Sequence, residues 1–278
     1  MKHILIPTDF SENSYNAIRY ALSFFEERRV TFHMLHVEVP VEEPVLNKVM
    51  ATQENPVNEK WIHPMTRLKA LGEEIMRTHP GTKQSFCLEY EKSSFIEGVR
   101  KIVLTRNIDF IVMGTKGSSR ETMKPIGKNT VEVITRVKCP VLVIPERARY
   151  IRPKNVVFPT DFNMLYKNRV LNTLSEILKT HNSALRILNI RKRNEDLSLL
   201  QQKNKEFLLD SLLHVSYSLH APVHPCIEKA LQEFVDHNPI DMIAMVAKNL
   251  NFFQQILFRP LTREINYPKK IPILVLHE

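Results

Sequence analysis

KHILIPTDF (Lys2–Phe10) returns as KNVVFPTDF (Lys154–Phe162), and VKCPVLVIP (Val137–Pro145) returns as KKIPILVLH (Lys269–His277). Each is an apolar, β-branched run ended by a turn residue, the pattern of a strand buried on both faces of a parallel sheet. A third echo, IDFIVMGTKG (Ile108–Gly117) against IDMIAMVAKN (Ile240–Asn249), sets the alignment. These copies lie 132 residues apart and the opening strands 152 apart, so the second copy is about 20 residues shorter between them. The chain is a duplication, and the differences between its copies are as informative as the likenesses.

Between the repeated strands the texture alternates. Ser11 is placed to cap a helix, along which Tyr15, Ile18, Leu22 and Phe25 recur at three-to-four spacing. Val30–Val37 reads as the next strand. From Glu38 to Pro64 prolines are scattered among acids and amides, which marks a long loop or insertion carrying Trp61. Then come a helix around Met65–Thr78, a strand near Ser85–Tyr90, a helix near Phe95–Thr105, the strand Phe110–Met113, a loop, a helix from about Asn129 and the strand Val141–Pro145. Strands alternating with helices, without hairpin signals, imply right-handed crossovers and a parallel sheet covered on both faces. The expected fold is α/β, with two tandem doubly wound, Rossmann-like parallel five-stranded sheets in residues 1–148 and 153–278. The connecting stretch ERARYIRP (Glu146–Pro153) is charged and lacks Gly and Ser, so the halves should pack together. In the second copy Val170, Leu174, Ile177 and Leu178 mark the first helix, and a long helix is expected from about Asp196 to Leu219. Pro260 and Pro268 bracket a last helix.

The 278 residues, 43% hydrophobic and 25% charged, suit two ordinary globular domains. No run approaches the roughly 18 apolar residues of a membrane span, and Met1 leads directly into a strand, so the expected location is the cytoplasm. Cys87, Cys139 and Cys226 are odd in number, far apart and outside any CxxC pattern, which argues for reduced thiols rather than disulfides or a metal site. His220, His224 and Cys226 cluster, but Pro222 and Pro225 make that stretch a loop or strand entry rather than a zinc site. The net charge of +9 comes without a nucleic-acid recognition motif, so nucleic acid is not an expected partner.

In an open α/β sheet, ligands sit at the carboxyl ends of the strands where the winding reverses. The first strand ends in Pro7-Thr8-Asp9 and the fourth in Met113-Gly114, which places both at one sheet edge. The loop then runs Gly114-Thr115-Lys116-Gly117, nine residues, Gly127-Lys128-Asn129-Thr130, and a helix. Glycines let backbone N–H groups approach an anion, and the following helix adds the positive end of its dipole. A Walker A motif, GxGxxG and a kinase loop are all absent from the sequence. The second copy has Val246, Asn249 and Arg259 where the first has Gly114, Gly117 and Gly127, so it should bind no nucleotide.

On these residues the chain resembles the universal stress proteins, in their tandem two-domain form, over essentially its whole length. The spacing G-x2-G-x9-G fits Gly114, Gly117 and Gly127, and Pro7-Thr8-Asp9-Phe10-Ser11 matches the family's opening. The resemblance implies a fold like the adenine nucleotide alpha hydrolases. It also implies ATP or AMP with phosphates on the glycine loop, any Mg2+ riding on those phosphates, and adenine near Asp9 and Val37. It further implies that the two halves pair through Val141–Ile144 and Ile273–Leu276 as an intramolecular pseudo-dimer, which can pair again as a homodimer. One position departs: Lys128 stands where the family's ATP binders place Ser or Thr, with Thr130 as the nearest hydroxyl. Lysine at that position can either pair with phosphate or crowd the pocket. Lys116, Arg120, Lys124 and Lys128 form either an electropositive rim or ordinary solvated lysines, and Pro125 argues against one helix bearing them all.

Three functions remain open on sequence. The first is a stress-response or regulatory protein that binds nucleotide through its first half. The second is an interaction scaffold or signalling adaptor that binds none. The third is a slow ATPase, for which no paired carboxylates, Ser/His/Asp order or metal-ligand spacing is present.

Overall fold

The computed structural model describes residues 1–40, 63–79, 83–115, 126–191, 193, 195–247 and 270–278. In the first half β1 (Lys2–Pro7), β2 (Val30–Glu38), β3 (Gln84–Lys92), β4 (Phe110–Gly114) and β5 (Val141–Ile144) run parallel in the order β3-β2-β1-β4-β5. The second half repeats this with β6 (Asn155–Pro159), β7 (Ala184–Leu188), β8 (Tyr217–His220), β9 (Met242–Val246) and β10 (Ile273–Leu276), ordered β8-β7-β6-β9-β10. The two parallel sheets meet where β5 pairs antiparallel with β10, Leu142 opposite Leu274, and form one ten-stranded sheet. Each of those strands would otherwise present an unpaired, fully apolar edge, VLVI and ILVL.

Helices cover both faces. On one lie α1 (Glu12–Phe24), α2 (Pro64–Thr78), α5 (Asn168–His181) and α6 (Leu199–Asp210); on the other lie α3 (Phe95–Thr105), α4 (Lys128–Arg136) and α7 (Ile227–His237). Alternate strand residues feed the two cores: Ile4, Ile6, Phe32 and Met34 face α1, whereas Leu5, Leu35 and Met113 face α3 and α4. Each core is continuous across both halves. The connecting stretch is tied down as expected, because the Asn16 side chain donates to the carbonyls of Pro145 (3.2 Å) and Ala148 (3.0 Å). Tyr150 also packs edge-on against Tyr20. Lys2 and Arg28 of the first half both reach Glu176 on α5.

One expected element is shorter. The long helix from Asp196 to Leu219 is α6, which stops at Asp210, and Tyr217–His220 is the strand β8. Leu208 and Leu212 keep helical spacing, but the next residues alternate, and pairing with the otherwise open edge of β7 overrides local propensity. Gly117, Lys116, Arg120, Lys124, Asn249, Arg259 and most of the proline-rich insertion lie outside the described residues. Among the described residues no helix is long and apolar enough to cross a membrane.

Candidate functional site

The strand order reverses between β1 and β4, and both strands end at the same sheet edge. At the end of β1, Pro7 and Thr8 are buried and Asp9 is exposed. The Thr8 N–H donates to Leu35 O (2.8 Å), and its hydroxyl accepts from the Phe10 N–H (3.1 Å). That bond holds Phe10 at φ 60°, a left-handed conformation that a bulky side chain avoids unless its surroundings impose it. The second half builds the same turn, with Thr160 accepting from Phe162 N–H (3.0 Å) and Phe162 at φ 54°. Asp9 accepts from the Ser11 N–H (3.0 Å) and hydroxyl (2.6 Å), while Ser11 caps α1 by accepting from the Ser14 N–H. Val37, on β2 beside β1, is half-buried, and the His36 Nδ1–H donates to the Thr8 carbonyl (2.9 Å).

At the end of β4, Thr115 N–H donates to Ile144 O (3.0 Å), and Gly127 N–H donates to Thr115 O (2.6 Å), so the loop leaves and re-enters at one point. Gly127 is the N-cap of α4 and gives it no side-chain acceptor. Lys128 and Asn129 open the helix and are exposed. Thr130, expected as a phosphate-facing hydroxyl, is 3% exposed and donates its hydroxyl proton to Gly114 O at 2.9 Å. Met113 is buried in the core on the α4 side. The structure therefore brings Pro7, Thr8, Asp9, Gly114, Gly127, Lys128 and Asn129 to one edge with Val37 beside them. It turns Met113 and the Thr130 hydroxyl inward.

Two residues that sequence reasoning passed over shape this edge. A Cβ on Gly114 would lie 2.9 Å from Asn13 Cγ, so the glycine makes room for the first turn of α1. A Cβ on Gly98, in α3, would lie 2.9 Å from Val37 Cγ2, so this glycine sets how far Val37 sinks. An unexplained glycine inside a predicted helix was the available signal. In the second half the first arrangement is dismantled. The counterpart of Asn13 is Leu165, 57% exposed, and α5 begins one turn later than α1. Val246, in place of Gly114, is buried. Tyr166 replaces Ser14 and bonds Thr160 Oγ1 at 2.7 Å, as Ser14 bonds Thr8 Oγ1 at 3.0 Å. Burial raises the Tyr166 phenol well above its ordinary range.

A sequence profile of the universal stress protein family matches residues 1–145. No curated protein sequence matches the chain. Among solved structures, the chain is similar to a universal stress protein from Archaeoglobus fulgidus, with a TM-score of 0.65 at 15% identity, covering 99% of this chain and 96% of that one. A putative universal stress protein from Pseudomonas aeruginosa follows at 0.60 and 11% identity, covering 99% and 93%. At these identities the likeness is one of fold, and it extends over both halves.

Proposed function

We propose, because the chain belongs to the universal stress protein family, that its first half binds an adenine nucleotide, ATP or AMP. In this reading the second half, residues 153–278, binds no nucleotide and completes the fold of a cytoplasmic, stress-related regulatory protein. The observation that carries the reading is the amino end of α4, opening without a side-chain cap beside the ends of β1 and β4. The N–H groups of Lys128, Asn129 and Thr130 are the first of that helix. A phosphate would supply acceptors to these groups, which have no side-chain cap among the described residues, in the field of the helix dipole. Exposed Lys128 adds a cation that can swing toward phosphate, in preference to crowding the pocket. Asp9 and Val37, at the ends of β1 and β2, would flank the ribose and base. Any Mg2+ would arrive on the phosphates. Val246, buried where the first half has Gly114, supports a second half without nucleotide.

Equilibrium binding of ATP to the full chain tests this, with Lys128→Glu as the informative variant. Glutamate at the first helical position favours the helix dipole but repels phosphate, so ATP affinity should fall about tenfold while stability is unchanged or higher. Absence of binding at millimolar ATP would favour the nucleotide-independent scaffold. Phosphate release that exceeds background and is lost in Asp9→Ala would instead make the protein an ATPase.

A further inference from the structure

The second half contains a cavity of about 630 Å³ on the α6 face of the sheet, between the carboxyl ends of β6, β7 and β8 and the helix. It lies in the other half from α4 and on the opposite face of the sheet, so it is independent of the nucleotide reading. Its origin follows from the registers of the two sheets. Leu35 pairs with Glu89 in the first half and Leu188 with His220 in the second, so Tyr90 corresponds to Ala221. Likewise Glu38 pairs with Lys92 and Arg191 with Val223, so Glu38 corresponds to Arg191.

In the first half this region is filled. Tyr90 packs on the core, contacts the His63 ring at 5.4 Å and donates its hydroxyl to Glu38 at 2.6 Å, which holds the Glu38 carboxyl below its ordinary range. Arg67 lies over Phe10, its Cζ 4.1 Å from the ring centroid. In the second half Ala221 has no phenol to place there and Phe162 forms part of the cavity wall. Leu209 and Leu219 continue an apolar surface, and Lys205 approaches from α6.

Arg191 places a guanidinium where the first half has the Glu38 carboxylate. Its Nη1 donates to Glu195 O (3.1 Å) and its Nη2 to Ala221 O (3.4 Å), both uncharged acceptors. Its Nε is buried and has no hydrogen-bond partner among the described residues. Asp196 and Glu206 also line the cavity but are exposed, whereas Arg191 is partly buried. Arg191 therefore brings to the cavity wall a guanidinium whose two described acceptors are neutral carbonyls, and its positive charge is complementary to an anion held there. The volume lies within the usual range for small-molecule sites, which combine apolar walls with a few fixed polar groups.

We propose that this cavity is a second ligand site, for a small amphipathic anion whose hydrocarbon or aromatic body rests on Leu209 and Leu219 and whose anionic group meets Arg191 and Lys205. The site lies where Ala221 and Arg191 stand at the register positions of the first half's Tyr90 and Glu38.

Fluorescence titration of the full chain with 2-naphthoate tests the assignment, with 2-naphthylmethanol as its uncharged counterpart. Naphthoate should saturate one site per chain, and the alcohol should bind at least tenfold more weakly. Ala221→Tyr, which restores the first half's plug, and Arg191→Gln should each weaken naphthoate at least tenfold. In the unmodified protein, naphthoate should slow amide hydrogen exchange in residues 189–191 and 217–221 of the cavity wall, a readout that needs no variant to fold. Several outcomes would overturn the proposal: no saturable binding at millimolar naphthoate, equal affinity for the alcohol, or protection confined to other segments. Undiminished binding by a folded Ala221→Tyr chain would do the same. Displacement of naphthoate by ATP would make the cavity a nucleotide site and equally overturn it. ATP affinity about tenfold weaker in Lys128→Glu with naphthoate binding intact is the expected sign of two separate sites.

Discussion

His181 ends α5 in the seam between the halves, 5% exposed and packed against the Phe24 ring of α1 at 4.2 Å. Burial pushes its pKa from 6.5 down to about 4; Arg152 and Arg28 add to the fall and Glu27 opposes it. The folded protein therefore holds this imidazole neutral, while the unfolded chain takes up a proton below pH 6.5. Unfolding then binds more protons than folding, so stability is constant above about pH 6.5 and declines as pH falls toward 4. At about 1.4 kcal/mol per pKa unit, the His181 contribution lost by pH 5 is roughly 2 kcal/mol, and by pH 4 roughly 3 kcal/mol. His277, also pushed by burial to about 4, adds a loss of the same sign, so the two must be separated. His181→Phe keeps a ring against Phe24 and removes the titration. Urea unfolding of both proteins between pH 5 and 7.5 should give curves that converge with rising pH and separate below 6.5, the variant falling less steeply by about 2 kcal/mol at pH 5. Carboxylates such as Glu176, held low by Lys2 and Arg28 against the effect of burial, lose their contribution at lower pH, outside that window. Parallel curves would refute the assignment of His181 as a neutral, buried group at the seam.

The glycines of the first half should respond oppositely to alanine. Gly72→Ala meets only Leu88 Cδ2 at 3.6 Å and should stabilise by about 0.5–1 kcal/mol through helix propensity. Gly98→Ala and Gly114→Ala meet Val37 and Asn13 at 2.9 Å and should destabilise by about 1–3 kcal/mol from overpacking, all read from urea midpoints. Asn16→Ala strips the bonds to the Pro145 and Ala148 carbonyls and should cost about 1–2 kcal/mol in the same assay, loosening the connection between halves.

What could be read from the chain alone follows from what is local. The apolar runs KHILIP and VLVI are strands because alternate residues feed two cores, and duplication made them visible twice. Ser11 announces its helix by chemistry confined to four residues. The positive φ of Phe10 was not legible, since nothing about phenylalanine favours it; the Thr8 hydroxyl imposes it. Thr130 sits at the right spacing for a phosphate ligand, but only helix orientation decides that its hydroxyl turns to Gly114. The limit of α6 depended on a strand pairing with residues about 30 positions away. The cavity beside Ala221 required comparing two registers, information that no window along the chain contains.

The glycine that first suggested phosphate has another sufficient cause. A Cβ at position 114 would meet the Asn13 side chain whether or not an anion binds, and where α5 starts a turn later the same strand end carries valine. The difference between Gly114 and Val246 therefore reflects helix packing as well as the close approach that an anion needs. At Gly127 α4 opens with no side-chain acceptor and Lys128 stands exposed, the arrangement that best suits a phosphate. Divergence has a second locus on the other face, where Arg191 and Ala221 replace an internally satisfied acid–phenol pair. An acid–phenol pair satisfies itself, whereas a guanidinium held by two neutral carbonyls keeps its charge available to an anion. The nucleotide proposed for the first half and the anion proposed for the second therefore fall on opposite faces of the sheet, and Lys128→Glu and Arg191→Gln should affect them separately.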